Sequence, residues 1–164
     1  MIIYKEGDVL DSNADVIVNQ VNCRGAFGRG IAGQIREKYP EVYVNYKDMC
    51  DRHDNKASNL LGTFTYTIVS NGRQMIAGLF SQDTYKEKGV RHTNYKAFRA
   101  ALHLLFDYIR LHTNGTKKII VAFPYRIACG LASGDWDIIL EIITELSNRF
   151  SSIIECQIWR RPND

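Results

Sequence analysis

Residues 18–32 read Val18-Asn19-Gln20-Val21-Asn22-Cys23-Arg24-Gly25-Ala26-Phe27-Gly28-Arg29-Gly30-Ile31-Ala32, an apolar strand that passes through three glycines into a helix. Near the other end of the chain, residues 123–136 repeat this order of strand, loop and helix as Phe123-Pro124-Tyr125-Arg126-Ile127-Ala128-Cys129-Gly130-Leu131-Ala132-Ser133-Gly134-Asp135-Trp136. Glycine permits a positive φ and lets a ligand approach bare backbone, while a helix N-terminus presents unpaired N–H groups to an anion. The two stretches together predict a cradle for a phosphorylated ligand.

The length and composition of the chain are those of one compact domain. Its 164 residues are 45% hydrophobic, which is enough to bury a substantial core but too little for a second domain, so residues 1–164 are expected to form a single domain. Lysine and arginine number 21 against 18 acidic residues, a formal charge of +3. No long basic run is present to follow a nucleic-acid backbone. A phosphate-bearing small molecule fits this charge balance as well as RNA does.

The cysteines and the N-terminus indicate the compartment. Cys23, Cys50, Cys129 and Cys156 are widely separated and include no C-x-x-C pair, so the sequence predicts neither a zinc knuckle nor a redox motif, and no metal site. Residues 1–5 become charged too early for a signal peptide, and no apolar stretch approaches the length that spans a membrane. We therefore expect a soluble, cytoplasmic monomer with no membrane partner.

Strands and helices alternate along the chain. Apolar and β-branched runs predict strands at residues 1–5, 16–21, 62–70, 73–80, 118–123 and 153–159, and helical spacing predicts helices at residues 31–39, 41–52, 93–112 and 135–150. Pro40 ends the first of these helices, residues 53–59 predict a polar surface loop, and Asn71-Gly72 predicts a tight hairpin turn. The alternation predicts an α/β fold with three layers, α/β/α, around a mixed central sheet.

The ends of the predicted strands locate the ligand. In α/β sheets, ligands bind in the crevice at the carboxyl ends of the strands, and both glycine-containing stretches leave strands at that end. Neither stretch is a Walker A motif, because no Gly-Lys-Ser/Thr follows, and the spacing of Gly25, Gly28 and Gly30 does not match G-x-G-x-x-G. These differences disfavour the common nucleotide hydrolases and dinucleotide dehydrogenases.

Nearly the whole chain resembles the macrodomains, a family that binds ADP-ribose. The resemblance is carried by Gly7-Asp8-Val9, by residues 18–23 with the glycines that follow, by Tyr39-Pro40, by Leu60-Leu61-Gly62 and by residues 127–131. Residues 79–83 and 130–136 are most similar to the bacterial and phage branch called Appr-1″-p processing proteins. That branch is similar to the ADP-ribose 1″-phosphate phosphatases and to the antitoxin macrodomains that remove ADP-ribose from DNA. The resemblance implies a macrodomain-like fold, ADP-ribose or a derivative as ligand, an ADP-ribosylated macromolecule as a further partner, and no cofactor.

The resemblance also implies ligand contacts at individual residues. Asp8 corresponds to the carboxylate that accepts a hydrogen bond from the adenine amino group, and Val9 to a neighbour that contributes its backbone. Asn22 corresponds to the amide that holds the distal ribose, and Phe80 to an aromatic ring near that ribose. The segments around the distal ribose and diphosphate correspond to Gly28, Gly30 and Ile31 in the first stretch and to Ala128, Cys129, Gly130, Leu131, Ala132 and Ser133 in the second.

Several of these residues also have a purely structural interpretation. Asp8 is typical of a turn or helix cap, Asn22 of a loop asparagine that binds its own backbone, and Phe80 of an ordinary core ring. The glycines are also compatible with turns that bind nothing. Arg126 is compatible with either a phosphate contact or a solvated position at a strand end.

The chain departs from two catalytic patterns of the family. Ser81-Gln82 stands where some macrodomains have a Thr-Lys pair, and glutamine cannot form the Schiff base that lysine chemistry requires. Ala132 stands where another branch has an aspartate. The remaining hydrolytic route is direct attack by water, held by Asn22, the ligand phosphate and either Asp83 or Asp135. The structural alternative for Asp135 is the N-cap of the following helix.

Two classes of function follow from these features. The first is a hydrolase that acts on ADP-ribose 1″-phosphate or on an ADP-ribosyl linkage. The second is a non-catalytic sensor of ADP-ribose or poly(ADP-ribose), which the missing lysine and aspartate favour.

Overall fold

The computed structural model describes residues 1–70, 72–85 and 90–164. The six strands are β1 (Ile2–Glu6), β2 (Val16–Asn22), β3 (Phe64–Val69), β4 (Gln74–Gln82), β5 (Ile119–Pro124) and β6 (Ile154–Arg160). The five α-helices are α1 (Gly30–Lys38), α2 (Pro40–Arg52), α3 (Ala57–Leu60), α4 (Tyr95–His112) and α5 (Trp136–Arg149), and a short 3-10 helix covers Val9–Asp11. Each predicted strand and helix is confirmed, with ends that differ by one or two residues.

The strands form one sheet in the order β1-β6-β5-β2-β4-β3. All neighbouring pairs are parallel except β3 and β4, which are antiparallel. Parallel neighbours require crossover connections, and the helices provide them. The predicted hairpin pairing is confirmed by Val69 opposite Gln74, while Asn71 of its turn lies outside the described residues. The mixed sheet of the prediction is therefore present.

The sheet has helices on both faces, as predicted. One core contains side chains from α4 and α5, including Phe98, Phe106 and Ile143, and the other contains side chains from α1 and α2, including Ile35 and Tyr46. Strand β2 lies between the two cores, and for this reason its sequence is apolar without alternation. The three-layer α/β/α fold class is confirmed.

Two features near the helices differ from the prediction. The chain forms α3 at Ala57–Leu60, partly inside the predicted surface loop, because Leu60 is buried and anchors this short helix in the core. The 3-10 helix at Val9–Asp11 was not predicted, since it is too short to show periodicity. Within the described ranges, every helix is too short or too polar to traverse a lipid bilayer.

Candidate functional site

Two loops leave the carboxyl edge of the sheet from neighbouring strands. The first loop, residues 23–29, follows β2, and the second loop, residues 125–135, follows β5. Because β2 and β5 are parallel neighbours, both loops leave the sheet on the same side. The two glycine-containing stretches therefore follow adjacent strands, and a ligand crevice between them stays a prediction.

The Asn22 side chain organises the first loop. Its Nδ2 donates to the Ala26 carbonyl at 2.7 Å, and its Oδ1 accepts from the N–H groups of Arg24 at 2.9 Å and Ala26 at 3.2 Å. These bonds are those of a loop asparagine that binds its own backbone. The structure therefore shows the structural interpretation of Asn22, and its contact with a ribose stays a prediction.

A buried tyrosine that the sequence analysis did not single out forms a hydrogen bond with Asn22. Tyr46 on α2 is buried, and its hydroxyl donates to the Asn22 carbonyl oxygen at 2.6 Å. The Tyr46 ring packs against Phe27 of the first loop, with centroids 5.1 Å apart, and against Phe80 on β4 at 5.9 Å. Burial raises the pKa of Tyr46 above its usual value, so the hydroxyl remains a proton donor. The sequence does carry a signal for the burial of Tyr46, since Val42, Tyr46 and Cys50 are spaced to lie on one face of the helix.

The first loop presents bare backbone to the crevice. The N–H groups of Gly28, Arg29 and Gly30 donate to no group in the described part of the chain. Gly30 has φ +57°, and a Cβ placed at Gly28 or Gly30 would meet no non-neighbouring atom within 4 Å. The predicted glycines and Ile31, at the start of α1, thus surround a set of unpaired donors that suit an anion.

The second loop contains an unusual amount of left-handed backbone. Arg126, Ala128 and Ser133 have φ values of +59°, +67° and +56° although none is glycine. Each such residue costs roughly 1–2 kcal/mol. Left-handed residues beside ordinary ones turn successive N–H groups toward a common point, and the N–H groups of Gly130, Leu131 and Ala132 donate to no group in residues 1–70, 72–85 and 90–164. The second loop therefore contains a second set of unpaired backbone N–H donors.

Neighbouring residues hold the second loop in this shape. The Ala128 carbonyl accepts from Thr93 Oγ1 at 2.7 Å and from the Gly134 N–H at 3.0 Å, and the Ala132 carbonyl accepts from the N–H groups of His92 and Thr93. A Cβ at Gly134 would lie 2.5 Å from the Ala128 oxygen, so only glycine fits there. Loop residue Cys129 is partly buried, and burial raises the pKa of its thiol to about 11, so it is not a thiolate at neutral pH.

Asp8 lies beyond the second loop, at the end of β1. Its Oδ1 accepts from the Leu10 N–H at 2.9 Å, which caps the 3-10 helix in which Val9 is buried. Its Oδ2 lies 3.7 Å from Arg161 Nη2, and Arg161 also donates to Gln34 at 2.5 Å. An open hollow of about 430 Å³ lies beside Asp8. Asp8 thus caps the 3-10 helix with one oxygen and pairs with Arg161 through the other, and the residue lines this hollow.

The two candidate catalytic carboxylates have different surroundings. Asp83 follows β4, and its Oδ1 accepts from Arg24 Nε at 3.1 Å, while its Oδ2 has no partner in the described ranges. Asp135 Oδ1 accepts from the Asp137 N–H at 2.9 Å and caps α5, as in its structural interpretation. Asp135 also lines an open hollow of about 400 Å³ beside Arg126 and Ser133. Asp83 therefore keeps the freer carboxylate oxygen.

Two residues near the first loop are not surface groups. Phe80 has no exposed area and packs in the core with Tyr46, as in its structural interpretation as a core ring, and its place near the distal ribose stays a prediction. Gln82 is also nearly buried, with Nε2 donating to the Thr84 carbonyl at 2.9 Å. No group of three or more His, Cys, Asp or Glu side chains in the described part of the chain is arranged to hold a metal ion.

The chain is similar to known proteins both in sequence and in fold. No family model matches the chain. The ADP-ribose 1″-phosphate phosphatase of Debaryomyces hansenii is 28% identical over 172 residues, which cover 90% of this chain and 95% of the relative. The DNA ADP-ribosyl glycohydrolase of Mycobacterium tuberculosis is 44% identical over 52 residues, which cover 32% of this chain and only 15% of that protein.

Solved structures show the same fold. The macrodomain of Mycobacterium tuberculosis DarG superposes with a TM-score of 0.79 at 24% identity, over 97% of each chain. Thermosipho africanus DarTG in complex with ADP-ribose superposes with a TM-score of 0.72 at 18% identity, over 99% of this chain and 42% of the other. These structures share the arrangement of sheet and helices on which the two loops stand.

Proposed function

We propose that this chain, a macrodomain of the Appr-1″-p processing family, binds ADP-ribose and hydrolyses an ADP-ribose derivative. One observation carries the proposal: two runs of unpaired N–H groups, at residues 28–30 and 130–132, lie in loops that follow adjacent parallel strands. Such paired donors suit the two charged groups of a diphosphate. The names of the yeast and mycobacterial relatives support both the ligand and the reaction.

The strand order supplies the direction in which the ligand lies. Across the sheet, β1, β5, β2 and β4 occur in that order. Asp8 follows β1, the second loop follows β5, the first loop follows β2, and Asp83 follows β4. Four strand spacings of about 4.8 Å give roughly 19 Å, enough for a base, two sugars and a diphosphate. The adenine then lies at Asp8, the diphosphate between the loops, and the distal ribose beside Asn22 and Asp83.

Water is the nucleophile that this site favours. Gln82 is an amide and Cys129 a neutral thiol, so neither supplies the nucleophile of a covalent route. In the water route, the bond from C1″ to the leaving group breaks, the leaving group takes the electron pair, and the water oxygen bonds to C1″. The free Oδ2 of Asp83 accepts the water proton. For ADP-ribose 1″-phosphate, water attacks the terminal phosphorus instead, with the phosphate held by the first loop. The bond from phosphorus to the 1″ oxygen breaks, and that oxygen keeps the electron pair and leaves on ADP-ribose.

The test is direct incubation with candidate substrates. Purified protein is mixed with ADP-ribose 1″-phosphate, ADP-ribosylated protein and ADP-ribosylated DNA, and released phosphate or ADP-ribose is measured by chromatography. We expect product from at least one of them and ADP-ribose binding by calorimetry. Asp83→Asn should lower turnover and leave the affinity for ADP-ribose nearly unchanged, since it removes a proton acceptor and keeps the shape. Absence of ADP-ribose binding would overturn the proposal.

A non-catalytic role is the second candidate. The side chains of Asn22 and Asp135 already bond their own loop and helix, which leaves fewer groups for catalysis than the sequence predicted. A sensor would bind ADP-ribose and release no product from any of the three substrates.

A further inference from the structure

Thr93 lies immediately before α4 and is 2% exposed. Its hydroxyl donates to the Ala128 carbonyl at 2.7 Å and accepts from Gln20 Nε2 at 3.2 Å, and its N–H donates to the Ala132 carbonyl at 3.2 Å. One small residue from outside the second loop therefore holds two of its carbonyl groups. The unpaired donors at residues 130–132 lie between those two points.

The conformation that Thr93 holds is an unfavourable one. Ala128 has φ +67°, which places its Cβ too close to its own backbone. A loop that adopts this backbone without support would relax toward negative φ, and its N–H groups would no longer converge. Strained backbone of this kind persists only where the surrounding structure over-determines it.

Thr93 is itself held by a buried polar network under the crevice. Gln20 Nε2 also donates to Gln82 Oε1 at 3.2 Å, and Gln20 Oε1 accepts from Ser81 Oγ at 2.7 Å. The side-chain Nε2 of Gln82 donates to the Thr84 carbonyl. The backbone carbonyl of Gln82 accepts from the Cys23 N–H, at the start of the first loop. Networks whose groups are all satisfied are rigid. Gln82 thus connects the supports of both loops.

We propose that Thr93 is a positioning residue that holds the second loop in its left-handed, anion-binding form, with Gln20 and Gln82 as its support. The anion is the diphosphate of the proposed function, and this part of the inference rests on that function. The loop conformation itself is a property of the free protein. It can therefore be tested without a ligand.

The first experiment replaces the hydroxyl alone. Thr93→Val keeps the volume and removes the donor to Ala128, whereas Thr93→Ser keeps the donor. We expect ADP-ribose affinity to fall about tenfold in Thr93→Val, the factor for roughly one lost hydrogen bond, and to stay within about twofold in Thr93→Ser. In the ligand-free protein, the Gly134 amide, which bonds the Ala128 carbonyl, should exchange hydrogen at least about tenfold faster in Thr93→Val than in Thr93→Ser.

The second experiment separates positioning from general stability. Ala128→Gly removes the steric cost of positive φ, so Thr93→Val/Ala128→Gly should regain most of the lost affinity. Asp54, exposed in the loop after α2, has φ +54°, so Thr93→Val/Asp54→Gly also relieves a left-handed conformation, but far from the second loop, and should regain none of the lost affinity. If Thr93→Val does not fold, Thr93→Ala with the same second substitutions replaces it.

Three results would overturn the proposal. These are unchanged exchange at Gly134 in Thr93→Val, unchanged ADP-ribose affinity in that variant, and equal recovery from Ala128→Gly and Asp54→Gly. A wild-type protein that binds no ADP-ribose contradicts the proposed function instead, and the exchange measurements then still decide the role of Thr93 in the loop.

Discussion

The hydroxyl of Tyr46 donates to the backbone oxygen of Asn22 at 2.6 Å and also lies 2.9 Å from Asn22 Oδ1. This contact joins the second helix to the end of β2, where the first loop begins. Asn22 in turn bonds Arg24 and Ala26, so Tyr46 fixes the residue on which the shape of that loop depends. Thr93 has the corresponding position under the second loop. Each loop of the crevice is therefore held by one buried hydroxyl from a different part of the chain.

Tyr46→Phe should weaken ADP-ribose binding about tenfold and lower the free energy of unfolding by roughly 1–3 kcal/mol, because it removes the hydroxyl that donates to the buried Asn22 carbonyl oxygen. Calorimetry measures the first effect and urea denaturation the second. Tyr43→Phe is the matched control, since the Tyr43 ring also packs against Phe27 but its hydroxyl bonds no group in the described ranges. Equal losses in both variants would contradict the role of the Tyr46 hydroxyl.

Gly30→Glu should abolish ADP-ribose binding while the protein remains folded. A Cβ at Gly30 would meet no atom within 4 Å, and the glutamate places bulk and negative charge where a diphosphate must lie. Gly115→Glu is a stringent control, because Gly115 also has positive φ and open space and lies in the connection before β5, at the opposite edge of the sheet. Circular dichroism and calorimetry follow both variants. Retained affinity in Gly30→Glu would count decisively against this crevice.

Asp8→Asn separates the capping role of Asp8 from adenine binding. Asparagine caps as well as aspartate, so the melting temperature should change little, but Oδ2, which lies 3.7 Å from Arg161 Nη2, becomes an amide nitrogen that donates and repels the adenine amino group. We expect weaker binding of ADP-ribose and less change for ribose 5-phosphate, which lacks the base. Asp11→Asn, in the same 3-10 helix and with an exposed carboxylate, is the control. Equal losses for both ligands would refute the adenine contact.

Stability should fall in alkaline solution because buried thiols, Cys23 and Cys156 among them, hold their protons longer in the folded state. Burial raises the pKa of Cys23 to about 12 and that of Cys156 to about 11, from 9.0. The unfolded chain loses these protons near pH 9 and the folded chain does not, so the stabilisation is complete below pH 9 and declines above it, by up to about 1.4 kcal/mol per pH unit for each thiol. Denaturation in reducing buffer from pH 8 to 10.5 measures the slope. Cys156→Ala should make it shallower, and an unchanged slope would exclude this cause.

Much of the architecture was predictable because its signals are local. The apolar run of β2, the helical spacing around Phe98 and the break at Pro40 each depend on a few neighbouring residues, and the structure confirms the elements they predict. The two glycine-containing stretches were also visible in the sequence. Their common location followed from the rule that parallel strands present their carboxyl ends at one edge.

The amino-acid sequence by itself determined the α/β order of elements and the backbone freedom of the two loops, because turn chemistry and hydrophobic periodicity act over a few residues. Only the tertiary structure decided which partners the polar side chains take. Asn22 bonds Tyr46, 24 positions away, Gln20 bonds Thr93 across 73, and Arg161 bonds Gln34 across 127. A buried donor or acceptor must find a partner wherever packing brings one within reach, and no local pattern records that choice.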